Sequence, residues 1–593
     1  MGPPAILRKE IVDRGIVWEH GSIPGGAGAD AEGWSAPQMN HWSPVRWTVW
    51  LWFFASAAPA RGGDEIVRLS VVATSDFHGS LEMRSSRSRP GERLGGIDML
   101  AAYIEAVRRA NPGGVIVLDA GDVYQGTLLS AANEGKAVIE FFNEIGYDAI
   151  AVGNHDFDYG PEGYHSTPLS PKDNPLGVIQ KRIAEARFPF LAANIYERAT
   201  EKPVVWRNLL PFRIVTRKGV RVAVVGLTAE DVPLTTHPAN VQSLQFRPLL
   251  EELRRVLPEA RARGATVFIV VAHTGFDRDE RTGEMKGPLA ELAAGLEPGE
   301  VDLIVGGHMH RPLAARVNGI PIVQAGAYGM TFARAELAID PKTKRSISER
   351  AVLEPDNPVR RPDETGKPVP FLGGFVLPEP RFERRLQAYR RGVQHLENIR
   401  LGAAAQTLAN QCSLDSPLGG LVTDAIRAYD PAIQIAMFNS GGLRASIPEG
   451  PITFGRIYEV LPFDNTLIVL TLTGAEVREI LEHGLADHYG AMEISGIRVF
   501  ADMGARKGER CRLICLESGA ELLPDESYVV ATNDFVFNGG DGYTTFSQGR
   551  QVRQTHSLIR ELVAAYIKQK GTVELPAGPR YLPALYDGAS IPP

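Results

Sequence analysis

Short apolar runs rich in β-branched residues recur along the chain from residue 66, at 67–73, 115–118, 149–152, 222–225, 267–272 and 303–305. Each is too short for a helix and ends in polar or glycine-containing sequence, so each is expected to be a strand buried on both faces. The stretches between them are long enough for crossover helices. In 97–109, for instance, Leu100, Tyr103, Ile104 and Val107 share one helical face. This alternation predicts an α/β fold on a largely parallel sheet. Residues 161–175, with their prolines and serines, read as an inserted surface loop. Seven prolines between Leu353 and Pro380 mark a boundary. An arginine-rich helix is expected next, over 381–399, with Phe382, Leu386, Tyr389, Val393 and Leu396 on its packing face and its arginines toward solvent. A second α/β region then runs over 402–586.

The pattern at the start of the chain is different. Residues 47–54 are continuously apolar apart from Thr48, follow Arg46, and lead into two small-x-small sites, Ala55-Ser56-Ala57 and Ala58-Pro59-Ala60. A basic residue, a short apolar stretch and small residues make an export signal, and the stretch falls short of the roughly 20 residues a membrane span needs. Met39 would give a signal of ordinary length, so it is the expected true start, with a periplasmic or secreted destination. The alternative is an uncleaved N-terminal anchor. Six of the seven tryptophans, at 18, 34, 42, 47, 50 and 52, lie in this leader.

Composition narrows the class. The 593 residues are 44% hydrophobic and 22% charged, with a net charge of −7, which fits a large folded core and argues against a nucleic-acid binder. Three cysteines exclude a disulfide framework, and structural free thiols are expected.

The chemistry gathers at the strand ends. After 67–73 comes Asp76-Phe-His78-Gly79, after 115–118 Asp119-Ala-Gly121-Asp122, and after 149–152 Gly153-Asn154-His155-Asp156-Phe-Asp158. The run 267–272 leads into His273, and 303–305 into Gly306-Gly307-His308-Met-His310, so five of the thirteen histidines occupy such positions. In an open α/β sheet the carboxyl ends of the strands form one edge, where ligands bind. Imidazole, carboxylate and amide donors without thiolate suit zinc, manganese, iron or nickel. Their number exceeds the needs of one ion and points to two. A two-metal centre suits phosphoester hydrolysis, because it clamps both oxygens of an in-line displacement and acidifies bound water.

This ordered set resembles the calcineurin-like metallophosphatases. The second half carries Ser416-Pro-Leu-Gly-Gly-Leu-Val-Thr-Asp424, Asn439-Ser-Gly-Gly-Leu-Arg444, Pro462-Phe-Asp-Asn465 and Gly539-Gly-Asp-Gly-Tyr543, and resembles the companion domain of the 5'-nucleotidase family, which includes periplasmic UDP-sugar hydrolases and 2',3'-cyclic-nucleotide phosphodiesterases. The resemblance implies a four-layer α-β-β-α metallophosphatase sandwich over 61–353, a linker and connecting helix over 354–400, and an α/β substrate-binding domain over 401–588, with 1–60 as leader. It implies that Asp76, His78 and His310 bind one metal, that Asn154, His273 and His308 bind the other, and that Asp122 bridges them. His155, oriented by Asp158, would be catalytic. Arg444 would offer a planar fork to a phosphate, Asn439 would join the substrate-binding residues, Phe463 and Phe535 would sandwich a base, and Asn465 and Asp541 would address base and ribose. The family's frequent arginine ahead of Leu418-Gly419-Gly420 is absent, and Gly420 replaces the usual asparagine, which leaves the substrate open.

The favoured reading is an exported dinuclear-metal phosphoesterase acting on nucleotides by attack of a metal-bound hydroxide on phosphorus. The alternatives are a UDP-sugar diphosphatase, a cyclic-nucleotide phosphodiesterase, a hydrolase of another phospho- or sulfur ester, and a catalytically silent nucleotide-binding protein. No stable membrane span is expected. N-terminal sequencing of exported material tests the leader: a mature start after about residue 55 is expected, and a start well before it contradicts a cleaved signal.

Overall fold

The computed structural model describes residues 66–584, apart from 86–88, 90, 164, 411–413, 415, 487–489 and 576–577. The leader, Met39, Cys412 and the last residues of the expected second domain lie outside the described residues.

Two sheets face each other in the first half of the chain. The first runs Val352–Pro358, Thr331–Ile339, Val67–Thr74 (β1), Val115–Asp119 (β2), Ala149–Ala151 (β3), Phe190–Leu191 and Leu209–Leu210. The second runs Phe212–Arg217, Val220–Thr228 (β4), Val267–His273 (β5), Leu303–Gly306 (β6), Ile320–Gln324 and Leu313–Val317. Side-chain alternation explains the continuous apolar runs. Leu69, Val71 and Ala73 of β1 point into the layer between the sheets, as do Val267, Ile269 and Val271 of β5, whereas Phe268, Val270 and Ala272 point outward under helices. Helices Ile97–Ala110, Lys136–Ile145 and Gly177–Glu185 cover one outer face, and Leu249–Ala262 and Pro288–Gly295 the other. The result is a four-layer α-β-β-α sandwich.

The proline-rich stretch is more regular than its composition predicts. Val352–Pro358 pairs with Thr331–Ile339 at the edge of the first sheet, where proline's missing N–H is tolerated. The expected boundary at 353 therefore falls inside a strand. A hairpin of Val369–Phe371 and Gly374–Val376 follows.

The connecting helix is Pro380–Glu397, with Pro380 in its first turn. Phe382, Leu386, Val393 and Leu396 are buried, and the Phe382 ring lies 5.7 Å from that of Phe141. Its arginines are not all free in solvent. Arg385 pairs with Glu140 and Glu144, and Arg390 with Glu82, so these charges dock the helix on the first domain. The second domain is built on a five-stranded mixed sheet in the order Met492–Ser495, Ile435–Asn439, Ser527–Asn533, Thr466–Thr473 and Arg550–Leu558. Cys511 and Cys515 are buried free thiols.

Phe382→Ala removes a fully buried ring from the junction of helix and first domain. It is expected to cost about 3–5 kcal/mol, read as a lower midpoint in a denaturant titration; an unchanged midpoint contradicts this packing.

Candidate metal and substrate site

Register brings the chemistry together. Thr74 pairs with Asp119 and Asp119 with Ile150 in the first sheet, and Thr228 with His273 and Val271 with Val305 in the second. The parallel strands of each sheet therefore end level with one another, and the turns after β1, β2, β3, β5 and β6 share a rim. Backbone hydrogen bonds join these turns: the Asp76 N–H donates to the Gly121 carbonyl and the His78 N–H to the Asp122 carbonyl, each at 2.9 Å. Asp76, His78, Asp122, His308 and His310 all lie in the left-handed region, with φ from 49° to 72°, a conformation that costs a non-glycine residue of order 1–3 kcal/mol. Two glycines let the turns close. A Cβ on Gly153 would stand 2.2 Å from Asp122 Oδ1, and one on Gly121 would stand 2.8 Å from His273 Nδ1.

Two groups of donor atoms result, Asp76 with His78 and His310, and Asp122 with His273 and His308, each group's atoms within 4.8 Å of one another. Asn154 Oδ1 joins the second group, 2.9 Å from His273 Nε2. It points there because Asn154 Nδ2 donates to the Thr235 carbonyl at 2.8 Å. Asp122 Oδ2 lies between the groups, 3.1 Å from His273 Nε2 and 3.8 Å from His78 Nε2.

The donor set fits cations. His78 Nδ1 and His273 Nδ1 each face a backbone carbonyl, that of Gln125 at 2.9 Å and that of Ala120 at 2.8 Å. Both therefore donate from Nδ1 and turn Nε2 inward, toward the two groups of donor atoms. There His78 Nε2 meets His310 Nε2 at 3.1 Å, and His273 Nε2 meets His308 Nδ1 at 3.2 Å. Two buried ring nitrogens this close need a proton or a cation between them.

Titration follows the same logic. Burial, with Arg444 and His78 beside it, holds His310 well below the usual imidazole range, and burial with His273 nearby holds His308 at about 4. Burial lowers His78 as well. For His273 burial works the same way, but Asp122 and Asp76 outweigh it and push the ring up to about 10. A proton at His273 thus supplies the positive charge that the surrounding oxygens demand, and a divalent ion would supply it more strongly. Asp76 is pushed up to about 6, by burial above all.

Behind the donor groups stands a dyad. His155 Nδ1 and Asp158 Oδ2 are 2.6 Å apart, and Asp158 Oδ1 accepts a hydrogen bond from Thr236 Oγ1 at 2.6 Å. Burial opposes a charge on His155, but Asp158 and Asp122 raise its pKa above the ordinary value. The His155 N–H donates to Asp122 Oδ1 at 2.8 Å.

The second domain closes over this rim. The Phe463 ring stacks on His155, with centroids 5.2 Å apart and planes at 30°. Arg444 Nη2 is 3.3 Å from His310 Nε2, and Gln125 Nε2 donates to the Pro462 carbonyl at 3.3 Å. His155, Arg444, Phe463, Asn465, Phe535 and Asp541 line one cleft. Asn439 is in its wall, but its amide is engaged on both sides: Nδ2 donates to Asp541 Oδ2 and Oδ1 accepts from Asn533 Nδ2, each at 2.8 Å. It is therefore a brace beneath Asp541. All fifteen residues expected from the sequence thus lie on this rim or in this cleft. Sequence reasoning missed Thr236, Gln125 and Asp156, whose carboxylate accepts from the Val123 and Gly153 N–H groups at 3.0 and 2.9 Å. Only Asp156 carried a local signal, its place inside the Gly-Asn-His-Asp motif.

The chain matches the calcineurin-like phosphoesterase model over residues 69–312 and the 5'-nucleotidase C-terminal domain model over residues 393–548. It is 26% identical over 575 residues to a snake venom 5'-nucleotidase of Gloydius brevicauda, covering 88% of this chain and 89% of the relative. Human 5'-nucleotidase is 26% identical over 580 residues, covering 88% and 92%. Among solved structures, a 5'-nucleotidase precursor from Thermus thermophilus superposes with a TM-score of 0.74 at 27% identity, covering 88% of this chain and 100% of that one. The two models fall on the two domains in chain order, with the donor groups at the rim of the first and the cleft between the two, and the chain belongs to the 5'-nucleotidase family of metal-dependent phosphoric ester hydrolases.

Proposed function

We propose that this protein is an exported hydrolase of nucleotides, cleaving the phosphoester at the rim while the second domain holds the nucleoside. The observation that carries the reading is Asp122 Oδ2, which lies 3.1 and 3.8 Å from imidazole nitrogens of two separate donor groups, the place of a ligand shared by two ions. In this reading Asp76, His78 and His310 hold one ion, Asn154, His273 and His308 the other, and Asp122 both. When bound, the two ions supply a water acidified toward pKa ~7 and a charged clamp on the attacking and leaving oxygens.

The chain's own side chains do the rest. Phe463 and Phe535 offer aromatic faces for a base, and stacking of this kind tolerates any base. Asn465 and Asp541 line the same cleft and supply polar contacts there. Arg444, beside His310, presents a planar fork that suits a phosphate better than a lysine would. His155 keeps Nδ1 committed to Asp158 and holds a proton at Nε2, which it delivers to the leaving oxygen as a general acid. Thr236 fixes Asp158, and so fixes the ring. Export rests on the leader pattern, and two of the relatives it resembles are named as snake venom proteins.

A hydrolysis panel tests the reading: AMP, UDP-glucose, 2',3'-cyclic AMP and a simple phosphodiester, each with several divalent metals. Metal-dependent release of phosphate from AMP is expected, and release from none of the four contradicts the enzyme. His155→Ala is expected to lower turnover about 10²–10⁴-fold with metal content unchanged, whereas Asp122→Asn abolishes turnover and lowers metal content. Loss of metal from His155→Ala would overturn the ligand assignment.

A further inference from the structure

The loop that carries Phe463 and Asn465 is held from behind by one buried side chain. Residues 461–465 form no helix or strand and lie between helix Phe454–Val460 and strand Thr466–Thr473. Nearly a hundred residues later, Arg560 opens the helix Ile559–Lys570 with its side chain 6% exposed. Its Nη1 donates to the carbonyls of Leu461 and Phe463, at 2.9 and 3.1 Å, and its Nη2 to Asp464 Oδ1 at 2.6 Å. Its guanidinium carbon lies 4.1 Å from the centre of the Tyr458 ring. The adjoining Ile559 N–H donates to the Asn465 carbonyl at 2.9 Å. Three alternate carbonyls of the loop, at 461, 463 and 465, are thus all taken by one turn of distant chain.

A buried ion pair is a poor device for stability, because desolvation offsets much of the attraction and a well-packed apolar residue often does as well. What a guanidinium adds is a rigid fork that fixes several acceptors at once. Here the acceptors belong to the loop whose ring stacks on His155 and whose Asn465 lines the cleft. We propose that Arg560 is a positioning residue for base recognition: it holds the 461–465 loop so that Phe463 and Asn465 meet the nucleoside while Phe463 stays against His155. This rests on the nucleotide reading of the cleft.

Two variants test it in the full-length protein. Arg560→Lys keeps a charge beside Asp464 but loses the fork, and Arg560→Met keeps the length without either. Two quantities are read: amide hydrogen exchange of residues 461–465 against the flanking strand Thr466–Thr473, and the ratio of kcat/KM for AMP to that for ribose 5-phosphate, which lacks a base. Both variants are expected to speed exchange in the loop about tenfold relative to the strand and to lower the ratio about tenfold, chiefly through KM for AMP. Unchanged loop exchange overturns the proposal, and so does a parallel loss for both substrates. A wild-type protein that shows no preference for AMP over ribose 5-phosphate would instead count against base recognition by the cleft, while the exchange data still decide whether Arg560 holds the loop.

Discussion

Around Asp122 the chain crowds side-chain oxygens and ring nitrogens that need a proton or a cation between them. Asp122 Oδ2, Asn154 Oδ1 and His308 Nδ1 all stand within 3.2 Å of His273 Nε2, and His78 and His310 face each other nitrogen to nitrogen. Such an arrangement needs positive charge at its centre, a proton on His273 or a bound cation, and a rigid frame around it. The frame is the sandwich. Two sheets buried on both faces hold five turns at one rim, a left-handed backbone turns Asp76, His78, Asp122, His308 and His310 inward, and Gly121 and Gly153 admit the closest approaches. The cost of strain and repulsion falls where bound cations would return it.

The second domain depends on the same rim. Several of its contacts with the first domain run through site residues: Phe463 meets His155, Arg444 meets His310, and Pro462 meets Gln125, whose own carbonyl orients His78. A ligand that moved the Phe463 loop would be felt at His155 directly. The connecting helix, docked on the first domain by Phe382, Arg385 and Arg390, also packs against helix Phe454–Val460, which leads into that loop.

Much of this was legible in the sequence because it is written locally. A strand buried on both faces reads as a continuous apolar run, and a ligand at its end reads as a His or Asp just beyond, so β1 to β6 and the residues from Asp76 to His310 could be found without coordinates. Features made by pairing across distance left no such mark. Proline in 353–358 hid an edge strand, because the permissive side of an edge cannot be seen in sequence. The arginines of the connecting helix looked solvent-facing, because their partners Glu82, Glu140 and Glu144 lie some 240 to 310 residues earlier. Thr236 acts on Asp158 through one hydrogen bond and Arg560 on the Phe463 loop through three, all to remote chain, and nothing in their own neighbourhoods distinguishes them. Asn439 was legible as a member of its motif but not as a brace, since that depends on Asn533 and Asp541 arriving beside it.

The most direct test of the account is anomalous X-ray diffraction from crystals of the protein loaded with manganese or zinc. Two peaks about 3.5–4 Å apart are expected, one among Asp76, His78 and His310, the other among Asn154, His273 and His308, with Asp122 touching both. A single peak, or a pair that leaves Asp122 outside, would contradict it.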